Sequence, residues 1–165
     1  MRIVTKAVVP ACIAVLLVWA SPLHAQTAKP VAPNAAGTYK LNLKKSDFGK
    51  MPKPKEVILK VADTKDPILK YSVTGTDDKG QPINVEFDGA CDGKPYKEMG
   101  PQGGSTVTCK NIDDYTSTGT STSADGKTTE TSRFVSSKDF KVLTINTTGK
   151  GPEGEYKLRL VYDKQ

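Results

Sequence analysis

The chain has 165 residues, a formal net charge of +6 and 36% hydrophobic against 25% charged residues, a make-up that suits one globular domain. Its one histidine, His24, lies in the first 25 residues, which read as a cleaved export signal. The mature chain therefore lacks the side chain that most often moves protons near neutral pH, which excludes Ser-His-Asp triads, His-paired cysteine nucleophiles and His-ligated haem.

In chain order, Arg2 and Lys6 supply the basic start of the signal, and residues 7–20 supply its apolar run. Pro22-Leu23-His24-Ala25 ends it on the small residue that a signal peptidase needs. The run is too short and too promptly processed to be a membrane span, and no later stretch approaches spanning length. Cys12 sits inside the run instead of at the cleavage point, so no lipid anchor is expected. A Sec-type signal of this kind sends the product to the periplasm or outside the cell. Cleavage lowers the charge to +4, since Arg2 and Lys6 leave and no acid does. Residues 26–36 are Ala/Pro-rich without a period and read as a flexible leader.

From Gly37 the pattern becomes period two. Tyr39, Leu41 and Leu43 alternate with Thr38, Lys40 and Asn42. Val57, Leu59 and Val61 follow in the same manner, then Leu69, Tyr71 and Val73, then Ile83, Val85 and Phe87. Tyr156, Leu158, Leu160 and Tyr162 close the series. Each run predicts a strand with one apolar and one wet face. Turn signals separate them at Asp78-Lys79-Gly80, Asp92-Gly93, Asp125-Gly126 and Gly151-Pro152-Glu153-Gly154. Residues 44–54 allow a single helical turn at 46–48, and no amphipathic helix of ten residues is present. Residues 37–165 thus read as one all-β domain, an antiparallel meander of about 8–10 strands.

A sequence echo runs through it. Thr74-Gly75, Gly80 and Ile83/Val85/Phe87 match Thr148-Gly149, Gly154 and Leu158/Leu160/Tyr162, with a polar third copy from Thr118-Gly119. One hairpin geometry used repeatedly accounts for it. So many strands must hide their edges, and closure into a barrel does so most completely; a two-sheet sandwich is the alternative. The Ser/Thr-rich stretch 115–133 either faces water on both sides or lines a wet interior.

Gly37-Thr38-Tyr39-Lys40-Leu41-Asn42, followed by Lys45-Ser46-Asp47-Phe48, resembles the opening of lipocalin-like and fatty-acid-binding-protein-like barrels. The mature chain is also similar along nearly all its length to uncharacterised secreted bacterial proteins that share such a start. Gly75-Thr76-Asp77, Gly80-Gln81-Pro82 and the ending at 161–165 carry that likeness. The resemblance implies a calycin-type barrel whose last strand closes on its first. It brings no activity with it. The family's tryptophan is Tyr39 here, and Arg159 is the candidate to stack over it and close that end of the barrel, or else is a plain surface charge. Fatty-acid carriers clamp a carboxylate with Arg-x-Tyr. Arg159 and Tyr162 are three apart, on opposite faces of a strand, so the clamp does not carry over.

Cys91 and Cys109 survive cleavage, and an exported pair reads most simply as a disulfide. With these two engaged and histidine absent, no metal site and no cofactor are expected. Asp77-Asp78 and Asp113-Asp114 fall at turns and match no calcium loop. Glu86, Glu98 and Glu130 could serve a carboxylate-based hydrolase only if two of them share a cleft, which the sequence does not select. Catalytic residues: none. The positive charge is almost all lysine, Arg133 and Arg159 being the sole mature arginines, so nucleic acid is not an expected partner. Weak attraction to anionic envelope polymers is the reading for the lysine-rich face. The resulting expectation is a monomeric, non-catalytic exported barrel that binds a small lipophilic or amphipathic ligand. Its lining would be Tyr71, Val73, Val85, Phe87, Leu158 and Leu160. The alternative is a structural or interaction protein of the envelope, with those residues filling a dry core.

Overall fold

In the computed structural model, residues 34–62 and 65–165 are described. The signal, and the leader up to residue 33, lie outside the described residues. The alternating segments form ten antiparallel strands: β1 (Gly37–Leu41), β2 (Glu56–Val61), β3 (Ile68–Thr76), β4 (Pro82–Ala90), β5 (Asp92–Met99), β6 (Ser105–Asp113), β7 (Thr116–Ser123), β8 (Thr129–Ser136), β9 (Val142–Gly151) and β10 (Gly154–Lys164). Each pairs with its neighbours in sequence, and β1 pairs with both β2 and β10, which closes the barrel. The sandwich alternative is thereby set aside.

Closure at β1 is short. Tyr39, Lys40 and Leu41 pair with Lys164, Asp163 and Tyr162. Beyond them Asn42 accepts backbone bonds from Lys44 and Lys45 through its side chain, a turn that steps the chain off β10. The chain then rejoins β10 as a strap, where Asp47 and Arg159 exchange backbone bonds of 2.7 and 2.8 Å. The turn thus precedes the predicted position, because residue 47 is engaged as an extra rung of sheet. Phe48, carried by that strap, packs on the core.

The opposite wall is looser. Between β4 and β5 the register holds for Glu86↔Met99 and Phe87↔Glu98. A bulge in β5 between Asp92 and Pro95 shifts the pairing with β6. The Cys91 and Cys109 sulfurs, 1.93 Å apart, tie this corner to β6, and the Cys91 N–H reaches Pro67 O at 2.8 Å.

Five strands, β5 to β9, have no counterpart in the apolar alternation, β7 and β8 coming from the Ser/Thr-rich stretch. β5 and β6 carry Lys, Glu, Ser and Thr on both faces, and the inner face of β9 passes from Leu143 and Ile145 to Thr147 and Gly149. A 3-10 turn, Pro101–Gly103, joins β5 to β6. The core gathers on the side where the alternation is strongest: Tyr39, Leu41, Val57, Leu59 and Tyr162 are buried together.

Candidate functional site

Strand register decides what the barrel interior presents, because residues directly opposite share a face. Starting from buried Tyr39, the inward set runs through Leu59, Val73 and Val85 on one side. On the other it includes Leu41, Tyr162, Leu143, Leu160 and Ile145. All six residues expected to line a cavity lie on this inner face: Tyr71, Val73, Val85, Phe87, Leu158 and Leu160. Phe87 is buried, while Tyr71, Val73, Val85, Leu158 and Leu160 keep partial contact with solvent although they point inward. Tyr71 stacks on Phe87 with ring centres 5.0 Å apart, and Tyr96 meets Phe87 edge-on at 6.3 Å.

The remaining arc of the lumen mixes polar side chains with Tyr96, Val107, Cys109 and Phe134. Stretch 115–133 is two strands, β7 and β8, and their inner faces carry Ser117, Ser121, Ser123, Glu130 and Ser132. β5 and β6 add Glu98 and Ser105. The serines of the stretch therefore line the interior while Thr118, Thr120, Thr122 and Thr131 face outward, and Ser132 and Thr147 share a hydrogen bond of 2.7 Å inside.

Two rows of side chains organise this arc. In the first, Tyr71, Phe87, Glu98 and Ser105 stand opposite one another on β3, β4, β5 and β6. The Tyr71 phenol donates to Glu98 Oε1, and the Ser105 hydroxyl donates to Oε2 at 2.6 Å. In the second, Tyr156, Gly149, Glu130 and Ser121 stand opposite one another on β10, β9, β8 and β7. Tyr156 donates to Glu130 Oε1 at 2.6 Å, and Ser121 donates to Oε2 at 3.2 Å. Each row is a phenol, a spacer strand, a carboxylate and a serine; across the β6–β7 pairing the rows are offset, Ser105 standing opposite Ser123 and Ser121 opposite Val107.

The spacer is what lets each phenol span a strand. At Gly149 a Cβ would stand 2.3 Å from the Tyr156 ring, so the absence of a side chain makes room for the ring to pass. At Phe87 the spacer is itself an aromatic ring, stacked parallel to Tyr71. Burial raises the pKa of both phenols, and the adjacent carboxylates raise it further, so both are proton donors throughout the neutral range.

Among the described residues, no lysine or arginine ion-pairs with Glu98 or Glu130. The five ion pairs, such as Lys40–Glu56 and Lys70–Asp88, lie on the outer surface. Glu86 faces outward, opposite Ser72 and Met99, and takes no part. The two inward glutamates are thus the acids that sequence reasoning could not select. Their signal lay in strand phase: Glu98 falls in step with Tyr96, and Glu130 in step with Ser132 and Phe134.

Tyr39 occupies one end of the barrel, 1% exposed, and its hydroxyl donates to Ala35 O at 2.9 Å and Phe140 O at 3.2 Å. The cation over its ring is Lys164 Nζ, 5.5 Å from the ring centre, and not Arg159. The reason is alternation. Lys164 is the register partner of Tyr39, whereas Arg159 points outward, where Nη1 donates to Lys45 O at 3.2 Å and fastens the strap. Asp77 and Asp113 accept bonds from backbone N–H groups two to four residues on, which is turn chemistry as read from sequence. Among the described residues, no group of three or more His, Cys, Asp or Glu converges as metal ligands would.

No protein-family model matches the chain, and no curated protein matches it.

Proposed function

We propose that this protein is a non-catalytic exported carrier whose barrel lumen receives a small amphipathic molecule. One observation carries the reading: the lumen sets an apolar arc with partly accessible Val73, Val85, Leu158 and Leu160 beside an arc in which Glu98, Glu130 and serines stand among Tyr96, Val107 and Phe134. A dry packed barrel would fill its inside with apolar side chains. Here the apolar arc offers surface to a hydrocarbon and the second arc offers acceptors to a headgroup, the division expected of a ligand pocket. The resemblance to secreted calycin-type barrels and the export signal belong to the same proposal.

Native mass spectrometry of the exported mature protein, with solvent extraction of the same preparation, tests it. A stoichiometric extra mass that extraction releases is the expected result. A bare polypeptide mass, together with no uptake of any added amphiphile, overturns it.

A further inference from the structure

Independently of the carrier reading, we propose that the strap between β1 and β2 is a docking surface for an anionic lipid bilayer. Residues 44–55 hold five lysines, Lys44, Lys45, Lys50, Lys53 and Lys55, against one acid, Asp47. Over the rest of residues 26–165 basic and acidic side chains are equal in number, so this one segment carries the whole surplus of positive charge. All five lysines are exposed, and among the described residues only Lys45 of the five makes an ion pair, with Asp163. The acids in and beside the segment are engaged: Asp47 Oδ1 accepts the Gly49 N–H at 2.9 Å, and Glu56 pairs with Lys40. A bilayer spreads its charge over a plane, so these lysines need only be exposed together and need not converge on one point.

The lysine side chains are not what holds the strap in place. Asp47 and Arg159 exchange backbone bonds, the Ser46 hydroxyl accepts the Val161 N–H at 2.9 Å, and Leu43 and Phe48 pack on the core. The Met51 N–H donates to Phe48 O at 2.9 Å and closes a turn over residues 48–51. Gly49 seats that turn against β10, where a Cβ would stand 2.6 Å from Lys157 O. With Phe48 given to the core, the turn presents Lys50 and Met51 to solvent, and Met51 is 42% exposed. Pro52 and Pro54 follow, and their missing N–H groups keep the segment out of the sheet. An apolar side chain among unpaired cations fits a bilayer: the lysines meet headgroup phosphates, and the methionine enters the boundary beneath them. A soluble polyanion has use for the lysines and none for Met51.

Flotation of the exported mature protein with vesicles tests this, using phosphatidylcholine alone and phosphatidylcholine with about 30% phosphatidylglycerol. Binding is expected to the anionic vesicles only, and it should weaken as salt rises to about 0.15 M. K44Q/K50Q/K53Q/K55Q should weaken it about a hundredfold or more, at about fivefold per lysine. K65Q/K97Q/K110Q/K138Q removes the same charge from exposed lysines outside the strap and should bind nearly as the wild type does. M51S should cost about threefold on vesicles and nothing on dextran sulfate, a soluble polyanion. Equal binding to the two vesicle types overturns the proposal, and that comparison needs no variant. Equal losses in the two quadruple variants also overturn it, because bulk charge and not the strap would then drive binding. Dextran sulfate bound as tightly as the anionic vesicles, with M51S neutral on both, overturns the assignment to lipid.

Discussion

Tyr156 on the last strand reaches Glu130 on the eighth by laying its ring over Gly149, the residue that stands between them in the register of both strand pairs. The contact therefore needs three residues on three strands. It links sheet geometry, a missing side chain and a hydrogen bond in one unit, and each part can be perturbed alone.

Removing the phenol oxygen isolates the hydrogen bond. Tyr156→Phe keeps the ring over Gly149 and takes one of the two hydroxyl donors from Glu130. A hydrogen bond to a charged group that remains partly wet contributes about 1–2 kcal/mol. Urea denaturation should show a loss of that size with an unchanged slope, and a cycle with Glu130→Ala, which removes the acceptor, should give a coupling between the two sites. Strict additivity would mean that the bond contributes nothing.

Filling the gap is a separate experiment. In Gly149→Ala the new methyl stands 2.3 Å from the ring, and the ring must leave its place, which breaks the bond to Glu130. Overpacking of this kind costs about 1–3 kcal/mol. The loss should shrink when Tyr156 is first replaced by serine, because the obstructed ring is then gone. Equal losses in both backgrounds would show that the backbone at Gly149, not the ring, demands glycine.

How much of this arrangement sequence could disclose follows from where hydrophobicity marks phase. Leu158, Leu160, Val73 and Val85 announce their inner face by alternating with polar neighbours, and the barrel follows from those strands and their turns. Glu98 and Glu130 sit on inner faces of strands where a single aromatic each, Tyr96 and Phe134, marks the phase, so pairing to the apolar strands is needed to fix their direction. The echo between 74–87 and 148–162 could not reveal the two rows either. One row reads Tyr71, Glu98, Ser105 along the chain and the other reads Ser121, Glu130, Tyr156, an inverted order that no linear repeat contains. The assignment of Arg159 to Tyr39 failed for a related reason: the strand was legible, but the partner that closes against β1 at Tyr39 is five residues further on.

The link between Cys91 and Cys109 fastens the β4–β5 corner to β6, where few register pairs hold β4 to β5. With 18 residues of separation, closure of that loop contributes roughly 3 kcal/mol by the chain-entropy argument. Reducing conditions, or replacement of both cysteines by alanine, should lower the denaturation midpoint by the equivalent amount. Hydrogen exchange should quicken first in β4 and β5. A uniform rise in exchange over all strands would instead show that the link constrains the unfolded chain without reinforcing this seam.

Alkaline titration reads the phenols directly. Burial pushes Tyr162 up to about 12, and it raises Tyr71 and Tyr156, whose glutamate partners add to the effect. An unfolded phenol loses its proton near pH 10, so above that pH the folded state binds more protons than the unfolded one. Stability from these groups is therefore complete below pH 10 and is lost as pH rises toward and beyond 12. Absorbance at the phenolate band, followed together with far-ultraviolet circular dichroism, should show these phenols ionising only as the sheet signal collapses. In Tyr156→Phe, which has no phenol to lose a proton at that site, the stability deficit seen at neutral pH should narrow as pH rises above 10. Reversible ionisation of all six tyrosines near pH 10, with the sheet intact, would place the phenols in water and remove the oriented donors on which both carboxylate rows depend.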